Sequence, residues 1–383
     1  MSCKCSRDIR TLEVLNLQLL TPTSKRIRIQ PPHVYPTRCD FINSPPNSPS
    51  PFSHCTQLSP QIQTNSLQQS TTMSARVAWI GLGNIGRGMT KNIAEKGPQT
   101  SPLLLHNRSS ARATAHAAAL APKAQAVDLP TAIEQAELIF ICVGDDTALD
   151  AVVSNILAQP FDLSAKTFVD CSTVHPDTSR KTETSFAARG ADFVACPVFG
   201  APNMADAGQL IVVPAGKQSA IEKARPFFDG VVAKKTLDLS AGTGADIDVG
   251  RAGMLKVLGN TFILNTVGVL AESLVAAEAS GLGVEPFKEW LGLFAPGPFA
   301  NYAERMDSGD YYRREEPLFA VDLARKDLRH AAAVAGEGGL RMRNVEVTDS
   351  LLQEVKAERG EKGDLAAVYG AVRKGAGMKF ENE

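Results

Sequence analysis

Residues 77–86 read VAWIGLGNIG, a short apolar run followed at once by a glycine-rich turn. The run predicts a buried strand, and the following segment, with Met89 and Ile93 four residues apart, predicts a helix. Glycines in any loop can produce GxGxxG, but between a strand and a helix the pattern is typical of a dinucleotide-binding turn. We therefore predict that cofactor phosphates bind at residues Gly81, Leu82, Gly83, Asn84, Ile85 and Gly86.

Short apolar runs alternate with helix-length segments from this point to about residue 240. The runs lie at residues 103–105, 138–141, 168–169, 193–194 and 210–213. This order predicts parallel strands joined by crossover helices on both faces of a sheet. Later in the chain, Ile263, Val267, Leu270 and Leu274 form one apolar helical stripe. We predict an α/β domain of the Rossmann type, with a doubly wound and mostly parallel sheet, over residues 73–240, followed by an all-helical domain over residues 241–383.

The first 72 residues differ in composition from the rest. They hold nine of the 23 prolines and four of the seven cysteines, and residues 41–72 contain no Asp, Glu, Lys or Arg. Such a segment buries too little apolar surface to offset its ordering entropy, so we predict a disordered low-complexity extension over residues 1–72. Two explanations stay open. The basic, serine-rich composition weakly indicates an organelle transit peptide, whereas Met73, directly before a strand, indicates a translation start and hence a gene-model artefact.

Composition indicates a soluble protein that acts on a small molecule. The chain is 44% hydrophobic and 21% charged, and its net charge of -1 gives no reason to expect nucleic acid or a membrane as a partner. We identify no stretch that we expect to span a bilayer. Seven cysteines at irregular spacing, without a CxxC pair, predict neither a zinc site nor a disulfide framework. We expect reduced thiols, no bound metal and a cytoplasmic location, or a mitochondrial one if the extension is a transit peptide.

The end of the second predicted strand bears on the choice of cofactor. An acidic residue at this point reads the adenosine ribose of NAD, but the sequence here is His106-Asn107-Arg108-Ser109. Arg108 can pair with a 2′-phosphate and Ser109 can donate a hydrogen bond to it. A solvated loop arginine is the alternative interpretation. We predict cofactor contacts at Asn107, Arg108 and Ser109 and a preference for NADP over NAD, with NAD still possible.

Two later strand ends bring further polar and glycine-rich segments to the cofactor crevice, because parallel strands end at the same edge of a sheet. One carries Ser172 and Thr173, although hydroxyls before His-Pro are commonly helix caps. The other leads into a loop with Phe199 and Gly200. We predict substrate contacts at these four residues, and cofactor contacts at Thr173 and at Val143, which follows the run at 138–141.

Several motifs in the same order resemble the β-hydroxyacid dehydrogenase family. They are GLGNIG at 81–86, NRS at 107–109, DCSTVHP at 170–176, CPVFGAP at 196–202, and Gly250 followed by Lys256 and Asn260. The resemblance covers about residues 75–380. The family includes 3-hydroxyisobutyrate dehydrogenases and glyoxylate/succinic semialdehyde reductases, and its N-terminal domain is similar to that of 6-phosphogluconate dehydrogenase. It implies an NAD(P)-dependent enzyme that moves a hydride between the nicotinamide and a small hydroxy acid, semialdehyde or keto acid.

The resemblance also implies the catalytic residues. In the family the lysine of a GxxxxxKxxxN pattern is catalytic, which here is Lys256, with Asn260 on the same helix face. Lys256 would donate a proton in reduction and accept one in oxidation. A segment similar to the family's KDL motif implies that Lys326 approaches the cofactor and that Asp327 and Phe319 shape the substrate site. A snorkelling surface lysine is the ordinary alternative for Lys256.

One departure concerns the substrate. Family members commonly have Ser where this chain has Phe199, and the Ser hydroxyl holds the substrate carboxylate. A phenyl ring cannot donate that hydrogen bond. Either carboxylate recognition shifts to Ser172, Thr173 or backbone N–H groups, or the substrate differs.

Three functions stay open on the sequence. They are a reductase or dehydrogenase that uses Lys256, an imine reductase, and a cofactor-binding scaffold without activity. The last two typically lack the lysine, so its presence favours the first. The long helix near Gly250 suits a homodimer or homotetramer, as in related proteins.

Overall fold

The computed structural model describes residues 75–240 and 247–382 of the chain. The predicted disordered extension over residues 1–72 lies outside the described residues. The described part consists of an α/β half followed by a helical half, so the predicted fold class is confirmed.

The α/β half contains all ten strands found in the described residues. They are β1 (Val77–Ile80), β2 (Leu103–His106), β3 (Ala124–Ala126), β4 (Leu138–Ile141), β5 (Thr167–Asp170), β6 (Asp192–Ala195), β7 (Val198–Phe199), β8 (Leu210–Val212), β9 (Ala215–Gly216) and β10 (Ala233–Thr236). Its helices are α1 (Asn84–Lys96), α2 (Ser110–Ala119), α3 (Leu129–Gln135), α4 (Asp146–Leu157), α5 (Pro176–Ala187), α6 (Pro202–Asp206) and α7 (Gln218–Ala224).

The helical half begins with the longest helix and continues without strands through the described residues. Its helices are α8 (Gly250–Ala279), α9 (Val284–Phe294), α10 (Pro298–Asp307), α11 (Asp310–Arg313), α12 (Val321–Glu337), α13 (Arg343–Arg359) and α14 (Val368–Gly375).

The main sheet has the strand order β3-β2-β1-β4-β5-β6-β9. All neighbours are parallel except β6 and β9, which are antiparallel. The order reverses between β1 and β4, because β2 leads away from β1 on one side and β4 lies on the other. In such sheets ligands bind outside the carboxyl ends of the strands at this switch point. The topology therefore places a crevice beside the glycine-rich turn.

The predicted strand at 210–213 does not belong to this sheet. It is β8, which pairs antiparallel with β7 and parallel with β10 in a separate three-stranded sheet. Only a short segment containing α6 separates β7 from β8. Because a parallel crossover needs a dozen or more residues, these two strands pair antiparallel. The expectation of one continuous parallel sheet was therefore wrong for this strand. Strands β3, β7, β9 and β10 were not predicted at all.

Alternating side chains of β1 enter the two hydrophobic clusters on either side of the main sheet. Trp79 lies on one face, where its ring stacks on Phe140 at 5.5 Å between centroids. Ile80 lies on the other face, in the cluster that contains the stacked rings of Phe168 and Phe186. Burial on both faces explains why these strands read as continuous apolar runs.

Helix α8 is the central element of the helical half and packs against α5, α9, α10, α12, α13 and α14. By length and composition alone it could cross a membrane, a test that core helices of soluble proteins also pass. Leu264, Val267 and Leu274 are fully buried, whereas Phe262 and Val269 are largely exposed. The apolar character of this helix thus comes from its core-facing side and from an exposed stripe together.

Two glycines of the turn after β1 are required by close contacts. Gly81 has a φ of 100°, and a Cβ there would lie 2.2 Å from the carbonyl oxygen of Cys142. A Cβ on Gly86 would lie 2.4 Å from the carbonyl oxygen of Gly81 and 3.2 Å from Nε1 of Trp79. By contrast, a Cβ on Gly83 would meet no atom within 4 Å, and its φ of -72° suits any residue. Gly83 therefore borders open space in front of the turn.

We expect Gly86→Ser to lower the free energy of unfolding by roughly 1–3 kcal/mol, because its Cβ must displace backbone. The matched variant Gly83→Ser is expected to stay within about 0.5 kcal/mol of the parent protein. Urea denaturation of the three proteins measures both values. Equal losses in the two variants would contradict this assignment of the close contact to Gly86.

Candidate active site

The glycine-rich turn presents free backbone N–H groups to the crevice. Gly83 is the N-cap of α1, and no side chain caps this helix. The first N–H groups of a helix have no intrahelical acceptor, and with the helix dipole they favour an anion. Asn107 supports the turn, because its Oδ1 accepts a hydrogen bond of 3.0 Å from the N–H of Leu82. These features, with the open space at Gly83, fit a dinucleotide pyrophosphate.

The end of β2 offers a cation and a hydroxyl at the surface. Arg108 and Ser109 are both exposed, and Arg108 forms no hydrogen bond or ion pair within the described residues. Ser109 is the N-cap of α2, where its hydroxyl accepts from the N–H of Arg112 at 3.4 Å. No carboxylate stands at this strand end. The predicted ribose-reading residues Arg108 and Ser109 thus directly follow Asn107, which contacts the glycine-rich turn.

Lys256 lies in a buried chain of polar groups. Its side chain projects from α8 and its Nζ donates to Oδ1 of Asn260 at 2.9 Å. The Asn260 amide in turn donates to Oδ2 of Asp327 on α12 at 2.6 Å. All three residues are buried. The structure therefore excludes the interpretation of Lys256 as a snorkelling surface lysine.

The environment of Lys256 lowers its pKa to about 8. Burial, which penalises the charged form, is the main cause. The carboxylate of Asp327 opposes the shift, and the ammonium of Lys326 adds to it. A lysine with a pKa near neutrality can both donate and accept a proton under physiological conditions.

Lys326 joins the two halves of the site. Its ammonium donates to the carbonyl oxygen of Gly144, after β4, at 3.1 Å and to the carbonyl oxygen of Thr173, after β5. It also forms an ion pair of 3.3 Å with Oδ1 of Asp327. Thus α12 is held across the carboxyl ends of two neighbouring strands. Lys326 and Thr173, two of the predicted cofactor contacts, are thus in contact with each other.

Ser172 is buried and has a local structural partner. Its Oγ accepts from the N–H of Val143 at 2.9 Å, and its own N–H donates to Oδ1 of Asp170 at 3.0 Å. Asp170 is almost fully buried, and burial raises its pKa to about 6. Ser172 therefore fixes the loop that places Val143 beside Gly81.

Phe199 forms one wall beside the buried lysine. Nζ of Lys256 lies 4.4 Å from the centroid of the phenyl ring. A Cβ at Gly259, one turn along α8 from Lys256, would lie 2.7 Å from the ring. Gly200, the next residue, is exposed with a φ of 141° and borders Leu210 and Met204.

Phe319, also predicted for the site, forms no hydrogen bond with the residues of this group. Its side chain packs at the edge of the hydrophobic cluster of the helical half, and its backbone N–H donates to Asp364 at 3.1 Å.

Sequence reasoning in turn missed Asp170 and Gly259. The position of Asp170 at a strand end, directly before Cys-Ser-Thr, was an available signal, whereas Gly259 has meaning only through its contact with Phe199.

The three cysteines that the structure describes, Cys142, Cys171 and Cys196, are free thiols. One group of residues could offer ligands to a metal ion. His175, Asp177 and Glu337 place ligand atoms within 4.8 Å of one another, and Asp177 and Glu337 are exposed. Asp177 is also ion-paired with Arg180. This group shares no residue with the Lys256 network.

Comparisons with known proteins agree with this geometry. Residues 76–239 match the family model of the NAD binding domain of 6-phosphogluconate dehydrogenase. Residues 250–372 match that of the NAD-binding domain of NADP-dependent 3-hydroxyisobutyrate dehydrogenase. A 3-hydroxyisobutyrate dehydrogenase from Mycobacterium tuberculosis has the same fold, with a TM-score of 0.65 at 20% identity over 79% of this chain and all of its own.

Two curated relatives extend over almost the same region. The NADH-dependent oxidoreductase ucdB of Aspergillus ustus is 31% identical over 297 residues, which cover 77% of this chain and 98% of the relative. Glyoxylate/succinic semialdehyde reductase 1 of Arabidopsis thaliana is 26% identical over 305 residues, which cover 78% of this chain and 98% of the relative. The chain therefore belongs to the β-hydroxyacid dehydrogenase family of NAD(P)-dependent oxidoreductases.

Proposed function

We propose that this protein is an NADP(H)-dependent oxidoreductase that interconverts a carbonyl and an alcohol with Lys256 as proton donor and acceptor. The observation that carries the proposal is the buried Lys256, whose pKa lies near 8 and whose Nζ is held by Asn260 at 2.9 Å. Names of relatives such as glyoxylate/succinic semialdehyde reductase support an aldehyde or keto substrate. A buried lysine with a lowered pKa is typical of an active site, so it favours an enzyme over a non-catalytic scaffold.

Each residue of the buried network has a separate role in this reaction. A bound nicotinamide supplies the hydride in reduction and accepts it in oxidation. In reduction the Lys256 ammonium donates a hydrogen bond to the carbonyl oxygen and gives its proton to that oxygen as the carbon receives the hydride. In oxidation the Lys256 amine takes the hydroxyl proton. Asn260 orients Nζ, and Asp327 fixes the Asn260 amide, so that the lysine is held in place before substrate binds.

We expect Lys256→Met to lower kcat/KM by about 10²–10⁴-fold, because the proton donor is lost while the buried methylene packing is retained. The control is Lys234→Met, which removes an exposed lysine on β10 and is expected to be fully active. The assay is NADPH and NADH consumption by the full-length chain with glyoxylate, succinic semialdehyde and methylmalonate semialdehyde. Undiminished turnover in Lys256→Met would reject Lys256 as the proton donor.

The pKa near 8 predicts opposite pH profiles for the two directions. Reduction needs the protonated lysine, so kcat/KM should be constant below about pH 8 and fall about tenfold per unit above it. Oxidation needs the amine, so its kcat/KM should rise up to about pH 8 and level off beyond. The inflection should vanish from the residual activity of Lys256→Met. Its persistence there would assign it to another group.

The preference for NADPH rests on Arg108 and Ser109 and on the lack of a carboxylate at the end of β2. The relative from Aspergillus ustus, however, is named an NADH-dependent enzyme. We expect Arg108→Ala to raise KM for NADPH by about tenfold or more, since an ion pair with the 2′-phosphate is lost. KM for NADH, which lacks this phosphate, should change less than about twofold. A parent enzyme that uses NADH better, or equal losses for both cofactors, would reject the NADP preference.

A further inference from the structure

The phenyl ring of Phe199 occupies the space next to the proton donor. It is half-buried at the end of β7, with Nζ of Lys256 4.4 Å from the ring centroid. A carbonyl oxygen that accepts a hydrogen bond from Nζ lies about 3 Å from it. The carbonyl oxygen therefore lies no more than about 7 Å from the ring centroid, and a group attached to the carbonyl on the side of Phe199 contacts the ring. Phe199 is thus placed to contact the substituent of the substrate.

Gly259 is what allows the ring to lie there. It stands one turn from Lys256, in the middle of α8, where Ala would be the better helix former. A Cβ at this position would lie only 2.7 Å from two ring carbons. The pair of Phe199 and Gly259 therefore forms one close contact, and the glycine has a steric reason to be present.

This wall is unfavourable for a carboxylate. The face of a phenyl ring carries the negative part of its quadrupole, and the ring has no hydrogen-bond donor. The second ammonium near Lys256, that of Lys326, already donates to the carbonyl oxygens of Gly144 and Thr173 and is ion-paired with the carboxylate of Asp327. A carboxylate against this ring loses hydration there and gains no hydrogen bond from Phe199 in return, which costs free energy.

We propose that Phe199, seated on Gly259, makes this enzyme selective for uncharged carbonyl substrates in which an alkyl, acyl or aryl group, and not a carboxylate, adjoins the reacting carbonyl. This inference rests on the proposed function of the same site. It names the substrate class that Lys256 serves, and it assigns Phe199 as the residue that determines specificity.

The test uses matched pairs that differ only in an acetyl group in place of a carboxylate. They are methylglyoxal and glyoxylate, 2,3-butanedione and pyruvate, and 1-phenyl-1,2-propanedione and phenylglyoxylate. For the full-length chain, kcat/KM should favour the uncharged member by about tenfold or more in the pairs that react. The ratio within a pair is independent of the fraction of folded enzyme, so a loss of stability does not change it.

Two substitutions separate the causes. Phe199→Ser introduces a hydroxyl donor, and we expect the ratio to move toward the carboxylate by about a hundredfold, from a new hydrogen bond to a charge and a lost apolar contact. Phe199→Leu keeps an apolar wall without a donor, and the uncharged member should stay preferred. A change of the same size in both variants would show that ring volume alone sets the ratio, against the proposal.

A double-mutant cycle tests the contact with Gly259. We expect Gly259→Ala to lower kcat/KM for the uncharged substrates by about tenfold, because the ring must move, and to have less than about a twofold effect in the Phe199→Ser background. Equal effects in both backgrounds would reject the coupling.

The outcomes distinguish failure of the proposed selectivity from failure of the proposed function. A parent enzyme that reduces the carboxylates as well as or better than their partners would overturn the selectivity while leaving the proposed function intact. Failure to reduce any of the six compounds with either cofactor would reject the selectivity, and failure to reduce succinic semialdehyde and methylmalonate semialdehyde as well would reject the proposed function itself.

Discussion

The burial of one ammonium group is the constraint on which the rest of the site depends. Removing a lysine from water disfavours its charged form, and a carboxylate alone would restore the charge so strongly that the lysine could not release its proton. Here Asn260 stands between Lys256 and Asp327 and accepts from one while donating to the other. Burial is the main cause that lowers the pKa of Lys256 to about 8, and the charge of the Asp327 carboxylate opposes this shift.

The same network requires the two halves of the protein to stay together. Asp327 and Lys326 are neighbours on α12, and Lys326 donates to backbone carbonyls that follow β4 and β5. The aspartate that supports the proton donor is thereby positioned by contacts with the sheet edge where the cofactor is expected. In this way the KDL segment couples the cofactor crevice to the proton donor, although its sequence alone reads as an amphipathic helix with surface charges.

What the sequence could predict was set by local patterns. The turn after β1 follows from spacing within one loop, so it could be predicted, whereas the role of Lys256 and Asn260 came from the family resemblance and their spacing only placed both on one helix face. Strands β7 and β9 have two residues each and offer no periodicity. The need for glycine at position 259 could not be predicted either, because it comes from the close contact with Phe199, a residue 60 positions away in the chain. For Phe319 the resemblance implied a place in the substrate site, and the structure shows it half-buried at the edge of the helical core.

Phe199 links the energetics of the lysine to the choice of substrate. An ammonium over the face of a phenyl ring is stabilised by about 0.5–2 kcal/mol, so the ring favours the protonated form of Lys256 just as Asp327 does. It achieves this without adding a negative charge or a hydrogen-bond acceptor. The same ring face disfavours an anion. One side chain can therefore support a buried cation and reject a carboxylate, and a residue that binds carboxylates could not fill this position without also changing the environment of the lysine.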